Sequence, residues 1–160
     1  MDRLWSPWRY TYVSQAGKDS TCIFCDALSR QDDRASLILF RGQHNFIILN
    51  RYPYTTGHVM IAPFEHVADL AQARPEVLAE MMGLCQRVER ALAALYKPEG
   101  YNLGMNLGRC AGAGVTGHLH MHLLPRWSGD TSFMTTVAET RLEPEELTTT
   151  YDRLKPHFEK

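Results

Sequence analysis

The segment Gly117-His118-Leu119-His120-Met121-His122-Leu123-Leu124-Pro125 alternates three histidines with three large apolar residues. Alternation at every second position is the period of a half-buried β-strand, whose successive side chains point to opposite faces. The pattern predicts a strand with Leu119, Met121 and Leu123 on a core. His118, His120 and His122 then stand in a row on the other face, about 6.8 Å apart at the ordinary strand rise. One reading is a His-rich surface strand. However, imidazole is the side chain best suited to proton transfer, nucleophilic attack and metal binding near neutral pH, which makes the row a candidate site.

The approach to this strand, residues 106–117, reads Asn106-Leu107-Gly108-Arg109-Cys110-Ala111-Gly112-Ala113-Gly114-Val115-Thr116-Gly117. Small residues let a backbone turn tightly and come close to a ligand. Consecutive N–H groups in such a loop can form a nest for an anion, often phosphate. A glycine-rich loop alone also suits a flexible hairpin connection. Running directly into three strand histidines, it suggests a phosphate held against a nucleophilic imidazole.

The rest of the chain sets bounds. Its 160 residues, 44% hydrophobic, suit one compact domain. A formal net charge of −1 gives no positive field for nucleic acid or an anionic membrane surface. No apolar run is long enough to span a bilayer and no secretory leader is evident, so the expected location is the cytoplasm. Four cysteines in that compartment point to metal binding or free thiols rather than disulfides. Cys22-Ile23-Phe24-Cys25 is then either a redox pair or half of a zinc site, and no βαβ context of the thioredoxin type precedes it.

Periodicity predicts short strands over 36–41, 45–50, 58–62 and 101–107, with the histidine strand as the fifth. Pro75 opens a helix with Glu76 in its first turn, and Leu78, Met81, Cys85, Val88, Leu92 and Leu95 recur along one face. Pro144 starts a last helix, over about 143–158, which Pro156 should end or kink. Hairpins plus one long helix make an α+β fold with a five-stranded, mainly antiparallel sheet and a C-terminal helix. The expected organisation is a single domain over 1–160, with an N-terminal arm at 1–20 and a core at 21–135.

His118-Leu119-His120-Met121-His122 resembles the signature of the histidine triad family of nucleotide hydrolases and transferases. The stretch from Asn50 through Pro53 to Gly57-His58 resembles the family's nucleotide-binding strand pair. Leu4-Trp5-Ser6-Pro7-Trp8-Arg9, together with Pro125-Arg126-Trp127 and the following residues to Met134, resembles one branch, the bacterial diadenosine tetraphosphate phosphorylases.

The resemblance implies roles for particular residues. His120 is the nucleophile that forms a covalent nucleotidyl-histidine. His122 contacts phosphate, or supports the site through hydrogen bonds. Asn50 binds the ribose, and His58 hydrogen-bonds within the triad region. Ile48 and Met60 line a base pocket, or are ordinary core residues. Asn106, Gly112, Ala113 and Gly114 belong to the phosphate loop. Arg126 faces outer phosphates, or is a plain surface residue. The implied structural zinc has Cys22, Cys25, His66 and His118 as ligands, with His44 as a substitute. Adenine nucleotides and phosphate are the implied partners, and a homodimer the implied assembly. Gly114 and Val115 stand where hydrolase-type members carry Gln and then Ser or Thr, which fits phosphate rather than water as acceptor. The competing functions are hydrolysis of dinucleoside polyphosphates or adenosine phosphoramidates, and non-catalytic purine-nucleotide binding.

Overall fold

The computed structural model describes residues 22–131 and 145–159. The tryptophan-rich opening at 4–9, residues 132–134 and Pro144 lie outside them. Two short helices come first, α1 (Ile23–Ser29) and α2 (Asp33–Ser36). Sequence periodicity missed both, since neither is long enough to display a helical repeat. The Asp32 side chain caps α2 by accepting from the Ala35 N–H at 3.0 Å, and Leu37 ends it in the left-handed region.

The sheet contains β1 (Ile38–Arg41), β2 (Asn45–Leu49), β3 (Val59–Pro63), β4 (Gly100–Gly104) and β5 (Met121–Arg126). Its order is β1-β2-β3-β5-β4, with every neighbouring pair antiparallel. The expected α+β architecture is therefore present. Three strands differ from expectation by two or more residues. β1 begins at Ile38 rather than 36, because Ser36 ends α2 and Leu37 caps it. β4 stops at Gly104 rather than 107, and β5 begins only at Met121, so His118 and His120 precede the paired strand.

Helix α3 (Pro75–Tyr96) covers one sheet face. Pro75 occupies its first turn, where the missing N–H has no intrahelical acceptor, and Lys97 in the left-handed region ends it. Its buried residues are Val77, Met81, Leu84, Cys85, Val88, Ala91 and Leu92, so Leu78 and Leu95 lie at the margin of the stripe rather than in it. Asn45 donates from Nδ2 to the Val77 carbonyl and to Glu80, which places odd-numbered β2 residues on the α3 side. By register, Ile61 and Leu123 share that side, whereas Ile48, Met60 and His122 share the other.

Gly57 makes the β2–β3 turn possible. Its φ is +79°, and a Cβ there would lie 3.0 Å from Leu92 and 3.3 Å from Pro125. The last helix, α4 (Leu147–Leu154), gives way to a 3₁₀ turn at Lys155–Phe158, as Pro156 predicts. It docks on the β1 edge through the Tyr151 hydroxyl, which donates to the Ile38 carbonyl at 3.1 Å. Among the described residues, no helix is long and apolar enough to cross a membrane.

Candidate active site

On the sheet face opposite α3, the histidines form a packed cluster rather than a solvated row. His118 is 1% exposed and His120 6%. Phe24 of α1 covers them, with ring centroids 5.1 Å from His118 and 5.0 Å from His120. The His120 and His122 centroids are 4.9 Å apart and their planes nearly perpendicular. The half-buried strand expected from alternation is thus corrected: a short helix caps the face that the pattern leaves to solvent. Phe24 gave no signal of this, sitting inside the Cys-x-x-Cys spacing that drew attention to its flanking thiols.

Backbone groups set the tautomers of His118, His120 and His58, and His58 in turn sets that of His122. A carbonyl only accepts, so His118 donates Nε2–H to Pro63 O at 2.8 Å and keeps Nδ1 as a lone pair. His120 donates Nδ1–H to the His118 carbonyl at 2.8 Å, leaving its Nε2 lone pair free. His58 Nδ1 accepts the Tyr54 N–H at 3.1 Å and lies 3.3 Å from Asn50 Nδ2. The His58 proton therefore sits on Nε2, which donates to His122 Nδ1 at 2.9 Å. His122 in turn carries its proton on Nε2. Two neighbouring imidazoles thus offer complementary groups, a lone pair on His120 and an N–H on His122. Asn50 is engaged locally as well, its Oδ1 accepting the Tyr52 N–H at 2.9 Å. Ile48 pairs with Met60 across β2 and β3, and Met60 pairs with His122, so these buried residues adjoin the cluster.

The glycine-rich loop contains a 3₁₀ turn at Arg109–Ala111, flanked by Gly108 and Gly112 with φ of +83° and +91°. The amides of Gly112 and Ala113 donate inside this turn, to Arg109 O at 3.0 Å and Gly108 O at 3.3 Å. Of the expected donor loop 112–117, Gly112 and Ala113 are thus engaged within the turn, whereas among the described residues the amides of Gly114 to Gly117 donate to no backbone carbonyl. Asn106 is exposed near the turn, its Nδ2 4.0 Å from where a Gly112 Cβ would stand. Arg126 is committed elsewhere. It forms an ion pair with Asp130, donating to both carboxylate oxygens, and bonds Asn102 Oδ1 at 2.6 Å.

Cys22, Cys25, His66 and His118 come together, with one ligand atom from each lying within 4.8 Å of the others. His118 Nδ1 is 3.3 Å from Cys22 Sγ and 3.7 Å from Cys25 Sγ, and His66 Nδ1 is 3.3 Å from Cys25 Sγ. A tetrahedral zinc with ordinary bond lengths has S···N edges of about 3.6 Å, so the donor set fits. The His118 proton on Pro63 leaves the correct nitrogen bare. At Gly117 a Cβ would come 3.2 Å from His66 Nε2, so a larger residue there would press on this ligand. His44 stands apart at the β1–β2 turn, its N–H on Glu80 at 2.7 Å.

Burial, reinforced by neighbouring His120, pushes the His122 imidazole down to about 4, and burial lowers His120 as well. An unfolded histidine takes up its proton near pH 6.5. Between that pH and the lower folded value, the unfolded chain binds a proton that folded His122 does not. Stability therefore falls as pH drops through this window. Urea midpoints should decline between about pH 6.5 and 4.5, and less steeply in His122→Asn. Equal slopes in the two proteins exclude His122 as the source.

Comparisons with known proteins agree with this geometry. The HIT domain family model matches residues 31–129. The AP-4-A phosphorylase of Mycobacterium tuberculosis strain H37Rv is 33% identical over 152 residues, covering 91% of this chain and 78% of that protein. A zinc-bound histidine triad family protein from Mycobacterium smegmatis superposes with a TM-score of 0.68 at 27% identity, covering 86% of this chain and 92% of that one. A histidine triad nucleotide-binding protein from Sulfolobus tokodaii also gives 0.68 at 27% identity, covering 85% and 91%. A buried histidine cluster on an antiparallel sheet, joined to a match over most of the chain, makes this protein a member of the HIT domain family.

Proposed function

We propose that the protein is a nucleotidyl transferase that cleaves diadenosine polyphosphates through a nucleotidyl-His120 intermediate, with phosphate as acceptor. The observation that carries this reading is the tautomer pair, a bare Nε2 on His120 beside an Nε2–H on His122. Covalent catalysis divides one difficult displacement into two easier ones. His120 Nε2 attacks the α-phosphorus of diadenosine tetraphosphate, a P–N bond forms, and the P–O bond to ATP breaks. The ring then carries phosphorus on Nε2 and a proton on Nδ1, a cation stabilised by the His118 carbonyl. His122 and the amides of Gly114 to Gly117 supply donors for the phosphoryl oxygens. Ile48 and Met60 supply apolar surface for a base, and Asn50 reaches the ribose with its remaining hydrogen-bonding capacity.

The resident metal of the Cys22, Cys25, His66 and His118 set is zinc, supported by the donor spacing and by the zinc-bound relative. Four protein ligands close its coordination sphere, so its contribution is structural. A second copy of the chain is the proposed partner: β4 is an edge strand, and its Leu103 is 46% exposed.

Phosphate as acceptor is supported by the likeness to AP-4-A phosphorylase and by Gly114 and Val115, which lack the polar side chains that hydrolase-type members carry there. The product identifies the acceptor, because phosphate attack on the intermediate yields ADP and water attack yields AMP. With diadenosine tetraphosphate and millimolar phosphate, ADP plus ATP should dominate. AMP plus ATP formed at a rate indifferent to phosphate identifies a hydrolase instead.

A further inference from the structure

The β2–β3 loop places an aromatic ring on the catalytic cluster that no role above has used. The Tyr54 ring lies 4.7 Å from His58, tilted by 45°, and stacks on His122 at 6.2 Å with an interplanar angle of 22°. Phe24, His120, His122 and Tyr54 thus form one chain of rings. Its Phe24 end is 1% exposed and its Tyr54 end 46% exposed. Phe24 closes the cluster toward the protein, and Tyr54 is its cover toward solvent.

We infer that the Tyr54 ring determines acceptor choice by keeping water from the His122 side of the nucleotidyl-His120 intermediate. This rests on the phosphorolysis reading. Phosphate dianion attacks the α-phosphorus, a P–O bond forms, the P–Nε2 bond breaks and its electron pair returns to His120. No proton moves, and ADP leaves carrying the proton phosphate brought. Water makes and breaks the same bonds but sheds one proton to solvent as AMP forms. Water is vastly more concentrated than phosphate, so phosphate wins only if it is held and water is denied space. Donors that hold an anion are the His122 Nε2–H and the loop amides. A flat ring against His58 and His122 denies the space. The Tyr54 N–H that fixes the His58 tautomer belongs to the backbone and survives any substitution except proline. The ring's role can therefore be tested separately from the relay.

The test is the AMP:ADP ratio from diadenosine tetraphosphate at fixed millimolar phosphate, in wild type, Tyr54→Phe, Tyr54→Leu and Tyr54→Ala. One intermediate partitions between two acceptors, so a loss of folded enzyme lowers the rate but leaves the ratio unchanged. Tyr54→Ala should raise the AMP share on the order of tenfold. Tyr54→Leu should fall between, and Tyr54→Phe should keep the wild-type ratio because the ring remains. If alanine prevents folding, the leucine and phenylalanine variants decide the question alone. A wild type that makes ADP, with the ratio unmoved in the alanine or leucine variant, overturns this inference and leaves phosphorolysis standing. The same is true if phenylalanine raises AMP as much as alanine does, since the hydroxyl rather than the ring is then responsible. A wild type making AMP at a rate indifferent to phosphate overturns the phosphorolysis reading, and this inference with it.

Discussion

His120→Ala should lower turnover of diadenosine tetraphosphate by on the order of 10⁴-fold or more while nucleotide binding persists. The Nε2 lone pair is the proposed bond-forming atom, and no neighbouring imidazole can replace it. His118 directs its free nitrogen at two thiols, and His122 presents a proton. The surrounding contacts predict that the pocket survives: Met60 and Ile48 pair within the sheet, and the His58–His122 bond does not pass through His120. The expected signature is a collapsed kcat with a nucleotide Kd within a few-fold of wild type. Acid-labile radioactivity should remain on the wild-type protein after brief exposure to α-labelled substrate and be absent from the variant. Near-normal turnover in a contamination-free His120→Ala preparation eliminates the covalent route through this residue.

The sequence made much of this site legible, for identifiable reasons. Period-two alternation set Leu119 and Leu123 against His120 and His122, and both leucines are buried in the structure. The Cys-x-x-Cys spacing marked half of a possible metal site, and the family resemblance supplied His66 and His118, which the structure brings beside the two thiols. What sequence could not supply was the covering of the histidine face. Alternation reports which residues share a face, and says nothing of what packs on that face. Helix α1 spans seven residues, too few for a period to emerge, so the burial of His118 and His120 was invisible. Arg126 shows a similar limit. A basic residue after a catalytic strand suggests phosphate, but its acceptors Asp130 and Asn102 are set by a tight turn and an adjacent strand. Tyr54 was overlooked because its contribution to His58 is a backbone N–H, which every residue but proline carries.

Loss of the Cys22 ligand is the second large effect. Seven-residue helices have negligible stability alone in water, so α1 must be held by tertiary contacts. Phe24 and Ala27 bury its apolar face, and Cys22 and Cys25 tie its start to His66 and His118. Structural zinc in small peptides binds with an apparent free energy of about 10–16 kcal/mol. A domain with its own core depends on the metal for only part of its stability. Cys22→Ser, or stripping with a chelator, should still cost several kcal/mol, a fall in Tm on the order of 10 °C. The effect reaches catalysis through the backbone. His118 holds His120 by its carbonyl, and Phe24 covers both rings, so releasing α1 exposes the His120 ring and loosens its tautomer. Turnover should therefore fall alongside Tm, whereas the ADP:AMP ratio should move less than in Tyr54→Ala. Amide exchange should accelerate first in α1, and protein purified without chelators should contain about one zinc per chain. The competing redox reading of the cysteine pair predicts the reverse: no bound metal, and a Tm that responds to thiol reductant. Finding no metal, together with an unchanged Tm in Cys22→Ser, rules out a structural centre at these four residues.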